Sequence, residues 1–196
     1  MRVFLAVLVL IFSLQSWTKA DDIRDLQIEG MSIGDSLLDY FSKEEIKKAK
    51  PVTNYKDKKY RTLNFVYVKK NFETYEVISA SFKSKDINYT IVGVGGFVVF
   101  DNNFEACSLQ QDEIYNEFDK IIKGKKISSE DKALVDKSGQ SKIRQTGVLL
   151  ENGDLVQISC YKYGKKFKKE NPVVDHMRVS IFTRDYSDWL NNIAYK

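Results

Sequence analysis

The chain has one histidine, two cysteines and two prolines, and beyond Leu14 no apolar run approaches the length of a membrane span. Each scarcity excludes something. With His176 alone, any Ser-His-Asp or Cys-His mechanism has to pass through it. Asp175 adjoins it, but neighbouring residues of a strand point to opposite faces, so His176 is expected to be an exposed strand residue. No G-x-S-x-G occurs. One histidine and two cysteines that oxidise together leave too few ligands for a typical zinc site. Gly93-Val94-Gly95-Gly96 lacks the lysine and hydroxyl residue of a phosphate loop, and no full G-x-G-x-x-G is present. No cofactor and no metal are expected.

What is present begins with a leader. Arg2 supplies a positive start, Val3 to Leu14 is an apolar core of signal-peptide length, and Thr18-Lys19-Ala20 is a passable cleavage site. Residues 1–20 are expected to be a signal peptide and 21–196 one domain, periplasmic or secreted, with no membrane span left after cleavage. No cysteine follows the apolar core, which argues against a lipid anchor. The remaining net charge is +4 less the two charges of Arg2 and Lys19, close to balance, so a general nucleic-acid affinity is not implied. Two cysteines in an exported chain most simply pair, and closing the loop from Cys107 to Cys160 stabilises by about 4 kcal/mol in the chain-entropy picture.

Periodicity outlines the fold. Phe104, Cys107, Ile114, Phe118, Ile121 and Ile122 recur at helical spacing, predicting a helix from Asn103 to Gly124 with an asparagine cap and Gly124 in the left-handed position past its end. Ser32 with Asp35, and Ser42 with Glu45, each resemble a capping box, predicting two short helices that meet near Ser42, the second ended by Pro51. Tyr60 to Val68, Glu76 to Lys83 and Ile87 to Phe100 read as strands. Glycines 93, 95 and 96 suggest a bulge or a close approach by another element, here the Cys107 helix. Lys123 to Lys142 reads as a long mobile loop, with Ile127, Ala133, Leu134 and Val135 its only contacts. Ile143 to Leu150 and Leu155 to Tyr163 flank Asn152-Gly153, a hairpin signal in which both central residues can take positive φ. Val156, Ile158 and Cys160 share one face of the return strand, while Gln157 and Ser159 share the other. Gly164 to Pro172 reads as a basic loop, Val173 to Thr183 as a last strand, and Tyr186, Trp189, Leu190 and Ile193 as the stripe of a closing helix. The class is α+β: a mostly antiparallel sheet covered on one face by helices, in two halves of a helix plus about three strands.

The run Ile28-Glu29-Gly30-Met31-Ser32-Ile33-Gly34-Asp35-Ser36-Leu37-Leu38-Asp39-Tyr40-Phe41-Ser42 resembles the start of a group of small exported proteins from marine bacteria. The ending, Met177-Arg178-Val179-Ser180-Ile181, Asp188-Trp189-Leu190 and Ala194-Tyr195-Lys196, resembles them too, with both cysteines in keeping. The resemblance implies export and a single domain, and no particular activity. Gly30-Met31-Ser32 also looks like the opening of small outer-membrane assembly and β-lactamase-inhibitor-like domains, which act by binding proteins.

Two function classes remain. Lys165, Lys166, Phe167, Lys168 and Lys169, with Tyr161 and Tyr163 interleaved, form the best candidate binding loop, suited to an acidic envelope component or a protein partner. The expectation is a non-catalytic exported binding or accessory protein using that loop or a sheet face. The alternative is a periplasmic hydrolase using carboxylates such as Asp112, Glu113, Glu117, Asp119, Glu151 and Asp154, since carboxylate pairs have no fixed spacing. Against it, Glu113 and Glu117 lie on one helix flank with Lys120 and Lys123, as a solvated ion-pair face would. Asp101-Asn102-Asn103 and Glu151-Asn152-Gly153-Asp154 offer calcium-like oxygens but read better as turns. Asn88-Tyr89-Thr90 matches a glycosylation acceptor that falls within a strand candidate.

Overall fold

The computed structural model describes residues 22–52, 54–66, 72–132 and 136–196. The leader, the end of the Tyr60 to Val68 run and residues 133–135 lie outside them. Eight strands form one antiparallel sheet: β1 (Lys50–Pro51), β2 (Tyr60–Phe65), β3 (Val77–Lys83), β4 (Gly93–Val99), β5 (Lys125–Lys132), β6 (Lys142–Leu149), β7 (Leu155–Lys162) and β8 (His176–Phe182). Their order is β1-β2-β3-β4-β8-β7-β6-β5. Each half is a four-stranded meander, not the three strands expected, and the last strands of the two halves, β4 and β8, pair at the centre. The helices are α1 (Lys43–Lys48), α2 (Phe104–Ile121), α3 (Lys165–Glu170) and α4 (Arg184–Asn192). The chain is therefore α+β with the sheet flanked by four helices.

Local chemistry explains the helix starts. Ser42 and Glu45 bond reciprocally in a capping box at α1, Asn103 accepts from the Ala106 amide at α2, and Thr183 caps α4. The earlier start at Ser32 makes no helix. Asp35 accepts from the Ser32 amide, and only a single 3-10 turn, Leu37–Asp39, follows. Gly124 is not left-handed. A Cβ there would come 2.5 Å from the Leu149 carbonyl oxygen, so glycine serves close packing against β6.

One face of the sheet carries Leu63, Ala80, Val94, Ile181, Val156 and Val148 in register across six strands, all buried. α2, the 23–41 segment and Ile46 of α1 cover that face and complete the main core. The predicted disulfide joins Cys107 of α2 to Cys160 of β7, with Cα atoms 6.0 Å apart. Beside it Gln111 donates to the carbonyls of Arg144 and Ile158, and the Arg144 guanidinium reaches Ser108 O, Gln111 Oε1 and Asp112. α4 packs on the opposite face at one end only. There Tyr186, Trp189, Tyr55, Tyr60, Phe182 and Leu155 form a second, aromatic cluster. Tyr186 Oη bonds Thr62 and Ser81, the polar members of that corner.

Three further expectations are corrected. Lys125–Lys132 is an edge strand, not part of a loop, held by an eight-pair ladder to β6. The glycines of β4 admit rings and side chains, not the Cys107 helix. Gly93 lies under the Tyr186 ring, Gly96 under the Tyr75 ring, and a Cβ at Gly95 would stand 3.1 Å from Arg178 Nε. At the β6–β7 hairpin only Gly153 has positive φ, 88°. Asn152 instead accepts from the Asp154 amide through its side chain.

Candidate binding face

With α4 confined to one corner, no other helix among the described residues covers the second face of the sheet. Strand alternation places Asn64, Ser79, Gly95, Ser180, Gln157 and Gly147 in one row across it. The next row is Val77, Phe97, Arg178, Ser159 and Gln145. Beyond it lie Val99, His176, Tyr161 and Ile143. In β2, β3, β4, β6, β7 and β8 no position on this face is acidic. The row is polar but tightly seated. Ser79, Ser159 and Ser180 are buried, while Asn64, Gln145, Gln157 and Arg178 are half-buried.

An aromatic ladder closes the end of this face opposite α4. The His176 ring stands 5.1 Å from Phe97 and stacks on Tyr161 at 4.6 Å, and Tyr163 stacks on Phe167 at 5.6 Å. His176 is thus half-buried in a stack, not the exposed strand residue expected. Its Nδ1 lies 2.9 Å from the Val174 carbonyl, so Nδ1 carries the proton and Nε2 is the free acceptor of the neutral ring. Burial pushes the imidazole below its usual value, and the nearby Arg178 charge adds to that shift. Burial likewise raises the Tyr163 phenol.

Arg178 is the centre of the face. Its guanidinium lies 5.1 Å from the Phe97 ring centroid and 5.6 Å from that of Phe182. Among the described residues its buried Nε has no hydrogen-bond partner, nor has the buried Oδ1 of Asn64.

The expected binding loop is a helix. Lys165–Glu170 forms α3, with Phe167 turned onto Tyr163 and Lys168 turned inward. Lys168 Nζ bridges the buried Asp175 carboxylate at 2.9 Å and donates to Asn102 Oδ1. Asp175 also accepts from the Tyr163 amide. Lys165, Lys166 and Lys169 remain exposed. The structure therefore unites Phe167 with the aromatic end of the open face and removes Lys168 from the candidate surface.

Several of the other candidates have local partners. Asp112 pairs with Arg144, Glu117 with Lys120 and Asp119 with Lys126, each at 2.7 Å. Asp154 accepts from the Arg184 amide beside a groove lined by Leu149, Leu150, Glu151, Gly153, Arg184 and Asp188. Asn103 caps α2, and among the described residues no group of three or more His, Cys, Asp or Glu is placed to hold a metal. Asn88 sits on the exposed turn before β4, not within a strand. No helix among the described residues is long and apolar enough to cross a membrane.

Sequence reasoning missed Arg178, Phe97, Asn64 and Gln145. For Arg178 the signal was available, since it alternates with Met177 and Val179, which face the core. What it lacked was the strand order that makes the four residues neighbours. No family model, no curated protein and no solved structure matches the chain. The resemblances read from its two ends gain no support from these comparisons.

Proposed function

We propose that this is a non-catalytic, exported binding protein that holds a protein partner against the open face of its sheet. The observation that carries the reading is that face itself: a row of serines and amides, an aromatic ladder and an arginine whose buried Nε has no hydrogen-bond partner among the described residues, across six strands, β2–β4 and β6–β8, that place no acidic residue on it. Arginine and aromatic side chains are the types that dominate binding energy at protein interfaces, whereas an ordinary solvated sheet face is rich in charges of both signs. Export is supported by the apolar leader and by the cystine, which persists in oxidising compartments.

The test is native size-exclusion of the protein from an envelope extract, with mass spectrometry of what co-elutes. The same chain carrying Gln145→Arg and Gln157→Arg in the middle of the face is run beside it. A stoichiometric companion that the double variant loses supports the reading. Elution of both as bare monomers, or a companion retained by the variant, overturns it.

A further inference from the structure

We infer that Arg178 anchors a carboxylate presented by an acidic polypeptide that docks across the open face; this rests on the binding reading above. Among the described residues the Nε of this guanidinium is buried and has no hydrogen-bond partner. Leaving a buried N–H unpaired costs about 1–3 kcal/mol, and folded proteins seldom tolerate it without a reason. The position is built, not incidental. Phe97 and Phe182 flank the guanidinium, and Gly95 leaves the space beside Nε that a Cβ would crowd.

A carboxylate is the complement such a fork selects, because it accepts two parallel N–H bonds in the guanidinium plane. In β2–β4 and β6–β8 no residue on this face is acidic, so these strands offer the guanidinium no carboxylate, and a docked chain would supply one. A polypeptide fits better than a small anion. Asn64, three strands from Arg178 in the sheet, offers a second unpartnered polar group. Three strand spacings are roughly 14 Å, a span that a chain bearing both carboxylates and amides covers and a lone carboxylate does not. At the aromatic end of the face Lys165, Lys166 and Lys169 add positive charge that would draw in an acidic partner and speed encounter.

The experiment is fluorescence anisotropy of a fluorescein-labelled decapeptide of alternating Glu and Gly, titrated with the full chain. Arg178→Gln, Arg178→Lys and a Lys165→Gln/Lys166→Gln/Lys169→Gln triple variant are compared, each shown folded by circular dichroism. Saturable binding is expected. Arg178→Gln should weaken it tenfold or more, Arg178→Lys by less, and the triple variant by severalfold with a shallower salt dependence. A second readout follows the Nε–H resonance of Arg178 by nuclear magnetic resonance, which should shift on titration whether or not the variants fold. Equal affinity of the wild type and Arg178→Gln, an unmoved Nε–H, no saturable binding, or binding only to a heparin oligosaccharide run in parallel would overturn the inference. A co-eluting companion held equally by Arg178→Gln would remove the anchor and leave the binding reading standing.

Discussion

The two faces of the sheet are built from the same strands and do opposite things. Behind Thr62, Ser81 and Gly93 on one side lie Leu63, Ala80 and Val94 on the other, each offset by one residue. The covered face is aliphatic, buried under α2 and cross-linked to it by Cys107–Cys160. Beyond the α4 corner the open face mixes serines and amides with Val77, Phe97, Val99 and Tyr161, and among the described residues the Nε of its arginine has no hydrogen-bond partner. The difference teaches that a half-covered sheet separates a buried apolar side from a side rich in hydrogen-bonding groups with a period of two. Burying apolar area stabilises by about 25 cal/mol per Å² on one side, and on the other the same strands offer hydrogen-bonding groups at small folding cost. Substitutions should therefore sort by face.

The largest effect is expected at the cross-link. Cys107→Ser and Cys160→Ser should each cost about 4 kcal/mol in urea unfolding, and the double variant no more than either. Additive losses would show that the two sulfurs contribute separately. Next, Lys168→Ser should cost about 2–3 kcal/mol, because it strands the buried Asp175 carboxylate with only the Tyr163 amide to satisfy it. Lys165→Ser, Lys166→Ser and Lys169→Ser should each stay within about 0.5 kcal/mol. Equal effects at all four would contradict the inward role of Lys168.

Adjacent glycines give the sharpest contrast. Gly96→Ala, on the covered face, drives a methyl into the Tyr75 ring and should cost about 1–3 kcal/mol. Gly95→Ala, on the open face, meets chiefly the Arg178 and Ser180 side chains and should cost under about 1 kcal/mol. A reversed order of melting temperatures would sink the assignment of faces. The smallest effect is a pH dependence. Burial lowers the folded pKa of His176 below its unfolded value of about 6.5. The unfolded chain thus takes up the proton first, so stability is full above about pH 6.5 and falls as pH drops toward the lower folded value. His176→Gln should flatten that part of the urea midpoint-versus-pH curve, and an unchanged slope would place the titration elsewhere.

Legibility followed the chemistry of each segment. α2 was readable because Phe104, Cys107, Ile114 and Phe118 recur at the spacing of one helix face, and Asn103 can satisfy the orphan amide at its start. β7 was readable because Val156, Ile158 and Cys160 alternate with Gln157 and Ser159. β5 was not, since KKISSEDK contains one apolar residue. Its strand conformation comes from backbone bonds to β6, and its charges suit an unprotected edge. α3 was hidden for a related reason: four lysines around Phe167 show no apolar stripe, and its order depends on Lys168 meeting Asp175 and Phe167 meeting Tyr163. The candidate face was half visible. The basic segment stood out by composition, whereas Arg178 looked like any outward strand residue.

By itself the sequence determined the α+β class, the long helix, the capping box at Ser42, the β6–β7 hairpin and the pairing of its only two cysteines. These depend on local periodicity, on side chains within a turn of the groups they satisfy, and on counting. The tertiary structure alone decided that β4 and β8 meet at the centre, that α4 covers one corner of the second face, and that Arg178 stands there between two rings with its Nε lacking a hydrogen-bond partner among the described residues. Those outcomes depend on residues far apart in the chain arriving side by side, and no local pattern encodes which strands become neighbours.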